Sequence, residues 1–266
     1  MFSQNGKLKM KRVLWIIPGL ALLAPAGAPE LGAQERDFLL KKPQVTFSIR
    51  GGYSVPRAGG SEGTESLWDF TRKHLTVETG DFAGPYVGAE VGILASERLD
   101  VVFGLGYSAS SASSEFREYV GDDDLPITQT TEFNTMPATV GLKAYLMPRG
   151  RSIGSFAWVP RNFNAFAGVA GGLVWYRFEQ YGEFVDAETL DIFIDNFRSV
   201  EKAPTLHLFT GLDVGINRSL MLTGEARYGI ARAPFQRFFD GTSDFVGFPK
   251  LDLTGLKLSG GVSFRL

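Results

Sequence analysis

Two histidines, His74 and His207, and no cysteine bound the chemistry open to this 266-residue chain. A nucleophilic hydroxyl needs a base that orients and activates it, and neither histidine has a serine two residues away on the same strand face. Asp213 or Glu225 could pair with His207, although a buried, hydrogen-bonded structural histidine accounts for the same residues. Two histidines without a thiolate supply too few ligands for a zinc site. The run Asp122 to Asp124 lacks the spaced ligands and the glycine of a calcium loop. No catalytic residue, cofactor or metal centre is expected.

Nine other charged residues are placed more informatively. Arg50, Glu90, Asp100, Lys143, Arg177, Asp213, Glu225, Arg227 and Lys257 each fall on the polar parity of a stretch in which apolar and polar residues alternate. Alternation with period two marks a β-strand with one apolar and one polar face. The clearest case is the end of the chain, where Leu256, Leu258, Gly260, Val262, Phe264 and Leu266 oppose Lys257, Ser259, Gly261, Ser263 and Arg265.

Seven earlier stretches repeat the pattern, at about 44–55, 82–94, 99–108, 129–146, 163–178, 205–216 and 220–230. Short turns at 95–98 and 217–219 alternate with long segments at about 56–80, 110–128, 179–204 and 231–255, while 147–162 is longer than a simple turn. In the fifth stretch, Phe166, Val174, Tyr176 and Phe178 read as the apolar, outward set against Arg177 and Glu179. Tyr53, Tyr107, Tyr176, Phe178, Tyr228 and Phe264 then fall toward strand ends on the apolar parity, where an interfacial aromatic girdle belongs.

Alternation does not say which face is inside. A soluble eight-stranded barrel or sandwich would turn the apolar faces inward and the charges out. The apolar faces here are nearly unbroken over the ~9–11 residues a strand needs to cross a bilayer, and the charged faces are rich in Gly, Ser and Thr. These features favour an all-β, eight-stranded antiparallel transmembrane β-barrel with long extracellular loops, its charges paired inside. A polar plug and a selective pore are the two uses such an interior could have. The acidic run at 122–124 reads most simply as a solvated loop tip. In the last long loop, Phe235, Phe238, Phe239, Phe245 and Phe248 either contact a ligand or partner or fold into a cap over the mouth. The segment 186–202, with Ile192, Phe193, Ile194 and Phe197, reads as a short helix or hairpin over the mouth.

The N-terminus has a basic stretch, Lys7 to Arg12, an apolar run from Val13 to about Leu23 broken by Pro18, and small residues up to Ala33. That is the layout of a cleaved secretory signal, giving a signal at 1–33 and a barrel domain at 34–266, with cleavage after Ala26 as the alternative. Residues 1–33 hold four bases against one acid, so the remainder carries about −5 of an overall charge of −2. A nucleic-acid-binding surface does not fit that balance.

Residues 34–266 resemble the eight-stranded outer-membrane β-barrel superfamily, nearest in layout to the outer-membrane protein W and protein A-type barrels. The terminal GLKLSGGVSFRL is similar to the signal read by the barrel assembly machinery, with Phe264 two residues before a terminal Leu266 in place of the usual terminal aromatic. The resemblance implies a bacterial outer membrane of the Gram-negative type, contact with lipid and lipopolysaccharide, and insertion by that machinery. It also implies a non-enzymatic role, structural or as a narrow conduit for a small apolar solute. A surface-binding role through the aromatic and acidic loops is the alternative, and a lipid A-modifying enzyme the third.

Overall fold

The computed structural model describes residues 38–59, 66–121, 124–154, 157–186, 189–237, 244–248 and 250–266. The signal at 1–33 with its cleavage site, Asp122, Asp123, Phe238 and Phe239 lie outside the described residues.

Eight long strands build the fold: β1 (Val45–Pro56), β2 (Gly84–Ser96), β3 (Leu99–Val120), β4 (Pro126–Tyr145), β7 (Phe163–Val185), β8 (Ile192–Gly215), β9 (Leu220–Ala233) and β11 (Gly255–Arg265). Each pairs antiparallel with its sequence neighbour, and β11 pairs with both β9 and β1, so the sheet closes on itself as an eight-stranded barrel. A short hairpin of β5 (Gly150–Ile153) and β6 (Ala157–Pro160) fills the 147–162 connection, and β10 (Leu251–Asp252) adds two residues to β9.

Closure is inside-out relative to a soluble barrel. Outward Ile49, Val87, Phe103, Leu105, Val140, Leu208, Leu222 and Leu258 are exposed, while inward Arg50, Glu90, Lys143, Asp213, Glu225 and Arg227 are buried. A closed sheet satisfies its backbone internally, and an apolar outer belt with a polar core is the arrangement a bilayer requires. The chain is therefore a transmembrane β-barrel. No described helix is long and apolar enough to cross a membrane, as expected of a chain that crosses with strands.

Close backbone approach explains several inward glycines. A Cβ on Gly261 would lie 2.0 Å from the Ile49 carbonyl oxygen, and one on Gly172 would lie 2.0 Å from that of Ala138.

Three expectations are corrected. The stretches 110–128 and 179–204 are largely strand: β3 with β4 and β7 with β8 continue past the apolar belt as paired hairpins. Above the belt their outward residues turn polar, as at Ser111, Ser113, Thr128 and Arg198, so these ends project beyond the membrane. Second, 56–80 is not only loop; it holds helix α1 (Leu67–His74) and a 3-10 turn at Thr79–Phe82. Ser66 caps α1 in a capping box with Asp69, the hydroxyl accepting from the Asp69 amide at 3.1 Å.

Third, β7 has the opposite facing to that expected. Phe166, Val174, Tyr176 and Phe178 point inward and are buried, whereas Phe163, Val169, Leu173 and Trp175 face out. Both parities of β7 are apolar, so charge at its end set the reading. Those charges, Arg177 and Glu179, lie above the belt, where parity no longer separates lipid from core. Tyr176 and Phe178 therefore leave the outer girdle, and Trp175 joins Tyr53, Tyr107 and Tyr228 as an exposed aromatic of the belt.

Candidate functional site

At the waist of the barrel, side chains from β1, β2 and β9 form a closed ring of alternating charge. Arg50 binds Glu90 at 2.8 Å and also Glu225; Arg227 binds Glu90 at 2.9 Å and Glu225 at 2.7 Å. Each carboxylate thus bridges both guanidiniums, and the Arg227 guanidinium lies 4.4 Å from the centre of the Phe209 ring. Strand parity places all four inward, and antiparallel register brings distant segments to one level.

Toward the short-turn end, Lys143 lies 3.5 Å from Asp213 and 3.7 Å from the Phe166 ring centre. A hydroxyl chain continues from Asp213 through Thr223 and Ser263 to Ser48, with each step at 2.7 Å. Arg149, from the 147–162 connection, reaches back into the barrel to bind Asp100 at 2.9 Å. Arg265 donates to the carbonyls of Arg218 and Arg161. Lys257 Nζ lies 5.2 Å from the centre of the Tyr86 ring. His207 accepts from or donates to Thr205 through Nε2 at 3.1 Å, and its Nδ1 has no hydrogen-bond partner. Neither Asp213 nor Glu225 pairs with it among the described residues: Asp213 is held by Lys143 and Glu225 by Arg50 and Arg227. Among the described residues no group of three or more His, Asp or Glu side chains could hold a metal ion.

Arg177 is the exception among the nine expected interior charges. Its side chain is 37 % exposed and binds Glu179 above the belt. Burial pushes the Glu179 carboxyl up, but hydrogen bonds from Asn196 and Arg177 outweigh that and hold it below its ordinary range. Conversely, Arg149 and Arg265 are interior charges absent from the expected set. Arg265 sits on the polar parity of the last strand and was legible there; Arg149 lies in a connection with no alternation to reveal it.

The loop end is closed by a second, apolar layer. Trp68 of α1 is fully buried, with Phe82, Phe133 and Phe178 edge-on to it at 4.7, 5.3 and 5.4 Å between ring centres. Its indole N–H donates to the Asp252 carbonyl at 3.0 Å. Phe235 and Phe245 are each 5 % exposed within this cluster, and Phe248 packs against it. Of the two uses open to the last loop, Phe235, Phe245 and Phe248 take the cap over the mouth and not the surface contact.

A concave site lies instead beside the cap, between α1 and the two projecting hairpins. Its volume is about 320 Å³. Phe70 stacks obliquely on His74 at 4.5 Å, His74 faces Phe116 at 5.8 Å, and Phe116 meets Tyr119 at 5.4 Å, forming one aromatic wall; Phe184 and Leu190 form the other. Buried Thr71, Gln129 and Gln180 lie at its polar base, with Gln180 donating to Thr131 at 3.2 Å. Glu118 and Asp186 are the carboxylates of its lining, and Glu118 approaches His74 Nδ1 at 3.8 Å. The wall is fixed by backbone: Leu75 bridges to Phe116, and Thr76 and Glu115 exchange hydrogen bonds at 2.9 and 2.8 Å. The aromatic residues of this site were not singled out from sequence, since three separate segments supply them; the Ser66-x-x-Asp69 capping box was the available sign of α1.

No protein-family model matches the chain, and no curated protein matches it. Among solved structures, outer membrane protein OprG from Pseudomonas aeruginosa is 14 % identical with a TM-score of 0.44, covering 86 % of this chain and 99 % of its own. Neisserial surface protein A is 9 % identical with a TM-score of 0.43, covering 87 % and 98 %. The outer membrane protease OmpT from Escherichia coli is 8 % identical with a TM-score of 0.42, covering 86 % and 98 %. These likenesses are loose. The barrel assignment rests on the closed strand ring and its apolar outer belt.

Proposed function

We propose that this chain is a non-enzymatic outer-membrane barrel that does not conduct along its axis and that binds a small ligand at its cell-surface end. The observation that carries this reading is double closure of the bore, by the Arg50–Glu90–Arg227–Glu225 ring at the waist and the Trp68-centred cap above it. An eight-stranded barrel is only wide enough for side chains to fill, so little room is left for an axial conduit. The pocket between α1 and the hairpins is within the size range of small-molecule sites. Its aromatic walls and acidic lining suit a compact apolar molecule bearing positive charge, held by ring faces and carboxylates together. In this reading residues 1–33 are removed as an export signal. Exposed Phe264 and Leu266 are offered to the assembly machinery, and the outer belt contacts lipid and lipopolysaccharide.

Refolded mature protein provides the test, with naphthylmethylammonium as probe and neutral naphthylmethanol as the charge control. Saturable binding of the cation, weaker binding of the alcohol, and loss of binding in Phe116→Ala with heat-modifiable gel mobility intact are expected. Equal partitioning of both probes into protein-free and protein-containing micelles would end the binding reading. Solute flux above that of empty liposomes would restore the conduit.

A further inference from the structure

We infer, resting on the outer-membrane reading above, that the outer face of β7, β8 and β9 just above the apolar belt docks the phosphorylated head of lipid A, the anchor of lipopolysaccharide. On each of these strands the outward parity changes from apolar to basic at the rim. Arg177 follows Trp175 on β7, Lys202 precedes Pro204 and Leu206 on β8, and Arg232 follows Tyr228 and Ile230 on β9. Exposed Trp175 and Tyr228 mark the headgroup level on this side. Register brings the three bases side by side. Lys202 pairs with Trp175, and Val200 pairs with Arg177, so Lys202 and Arg177 are diagonal neighbours. Arg232 lies one step past the Thr205–Ala231 pair, diagonal to Lys202 from the other side. Diagonal neighbours are within reach of long side chains, so the bases form a row across three strands, roughly 10 Å wide at ordinary strand spacing.

The row carries uncompensated charge. Glu179 is taken by Arg177, with Arg198 directly opposite it across the strands. Lys202 and Arg232 are exposed, and no described carboxylate lies within ion-pair distance of either. The other acids nearby point elsewhere: Glu201 shares its level with inward Tyr176, Asp252 is buried, Asp244 accepts from the Arg198 amide, and Glu132 stands above the row, opposite Glu179. Bases that merely snorkelled from the belt would ring the barrel, yet at this level β4 carries Asn134 and β3 carries Ala109. A one-sided row of bases directly above apolar surface suits an amphiphile with phosphate at its head. Its acyl chains would lie along Leu173, Leu206 and Ile230. Arginine takes phosphate as a fork and lysine as a point charge. Bases spread over three strands match a head with two phosphates on a disaccharide better than a single phosphodiester. The end with the projecting hairpins faces the cell surface, which is the leaflet that lipopolysaccharide occupies.

The experiment uses full-length mature protein folded in detergent micelles, with heat-modifiable mobility as the check of folding. Native mass spectrometry then reads the lipid retained after equilibration with bisphosphoryl lipid A, monophosphoryl lipid A or phosphatidylglycerol. One bisphosphoryl lipid A per barrel, held more tightly than either other lipid, is the expected result. Lys202→Gln combined with Arg232→Gln should weaken that binding about 30-fold. Arg151→Gln combined with Arg218→Gln, an equal loss of exposed charge at the turn end, should leave it unchanged. A folded barrel that retains no lipid A, or retains all three lipids equally, would overturn the site and leave the barrel reading standing. Binding that survives the loss of Lys202 and Arg232 would overturn it as well. If that double variant does not fold, the preference of the native chain among the three lipids decides alone. A native chain that never acquires heat-modifiable mobility would instead overturn the barrel reading, and the site with it.

Discussion

At the residue scale the waist ring is the most heavily constrained feature, because each of its four charges is buried and shared. Glu90→Gln leaves Arg50 and Arg227 to divide the single carboxylate of Glu225. Breaking one partner of such a buried network costs about 3–5 kcal/mol, so a matching drop in urea stability of the refolded barrel is expected, with its far-ultraviolet spectrum unchanged. The double variant Arg50→Met, Glu90→Gln should be less destabilised than the two single losses combined, which a double-mutant cycle would read directly. Two carboxylates outside the membrane set an acid response of the opposite end. Hydrogen bonds from Ser66, with the Arg72 guanidinium adding to them, hold Asp69 below its usual range, and Glu179 is held low through Asn196 and Arg177. A depressed folded value means that both groups stabilise the fold above their unfolded values of about 4. That contribution disappears as pH falls through the lower folded values. Protease cleavage near α1 should therefore rise as pH falls below about 4 while the barrel itself stays intact.

At the element scale, what sequence reveals and conceals follows from where a strand meets two different surroundings. β1, β2, β9 and β11 each have lipid on one side and polar core on the other, so their alternation is clean and their facing was legible. β7 instead passes from a mixed interior, with Phe166 and Ala170, into the apolar cap at Val174, Tyr176 and Phe178, and both of its parities are greasy. Only the neighbouring strands' register decides it. The cap helix was hidden for another reason: α1 is eight residues long and gains its stability from Trp68 entering the mouth rather than from its own periodicity. Trp68→Ala should remove about 3–5 kcal/mol of packing, releasing α1 to proteases and broadening the fluorescence response of the remaining tryptophans. Ser66→Ala should cost about 1 kcal/mol through the lost cap, enough to raise cleavage without opening the barrel. The pocket shares this helix, so both variants should weaken probe binding in the same order.

At the scale of the whole molecule the two closures lie in series, and that arrangement separates a capped pore from a solid plug. If the cap alone kept solutes out, Trp68→Ala would raise single-channel conductance in planar bilayers. The ring below it is made of four buried, mutually paired side chains, and Arg149 lies beyond it toward the short-turn end, bound to Asp100 and Thr46. Loosening the cap therefore leaves the current at its baseline. Truncating the ring without touching the cap, as in Arg50→Ala with Glu225→Ala, admits water to the waist but meets Trp68, Phe133 and Phe178 above. Either set alone should thus stay silent, and only the combination should conduct. Conductance in the Trp68→Ala variant alone would instead place the resistance in the cap and make the charge ring a permeation path, while conductance in the native chain would overturn both closures. A silent combined variant that still shows heat-modifiable mobility would mean that the turn-end seal of Arg149, Asp100 and Thr46 suffices by itself.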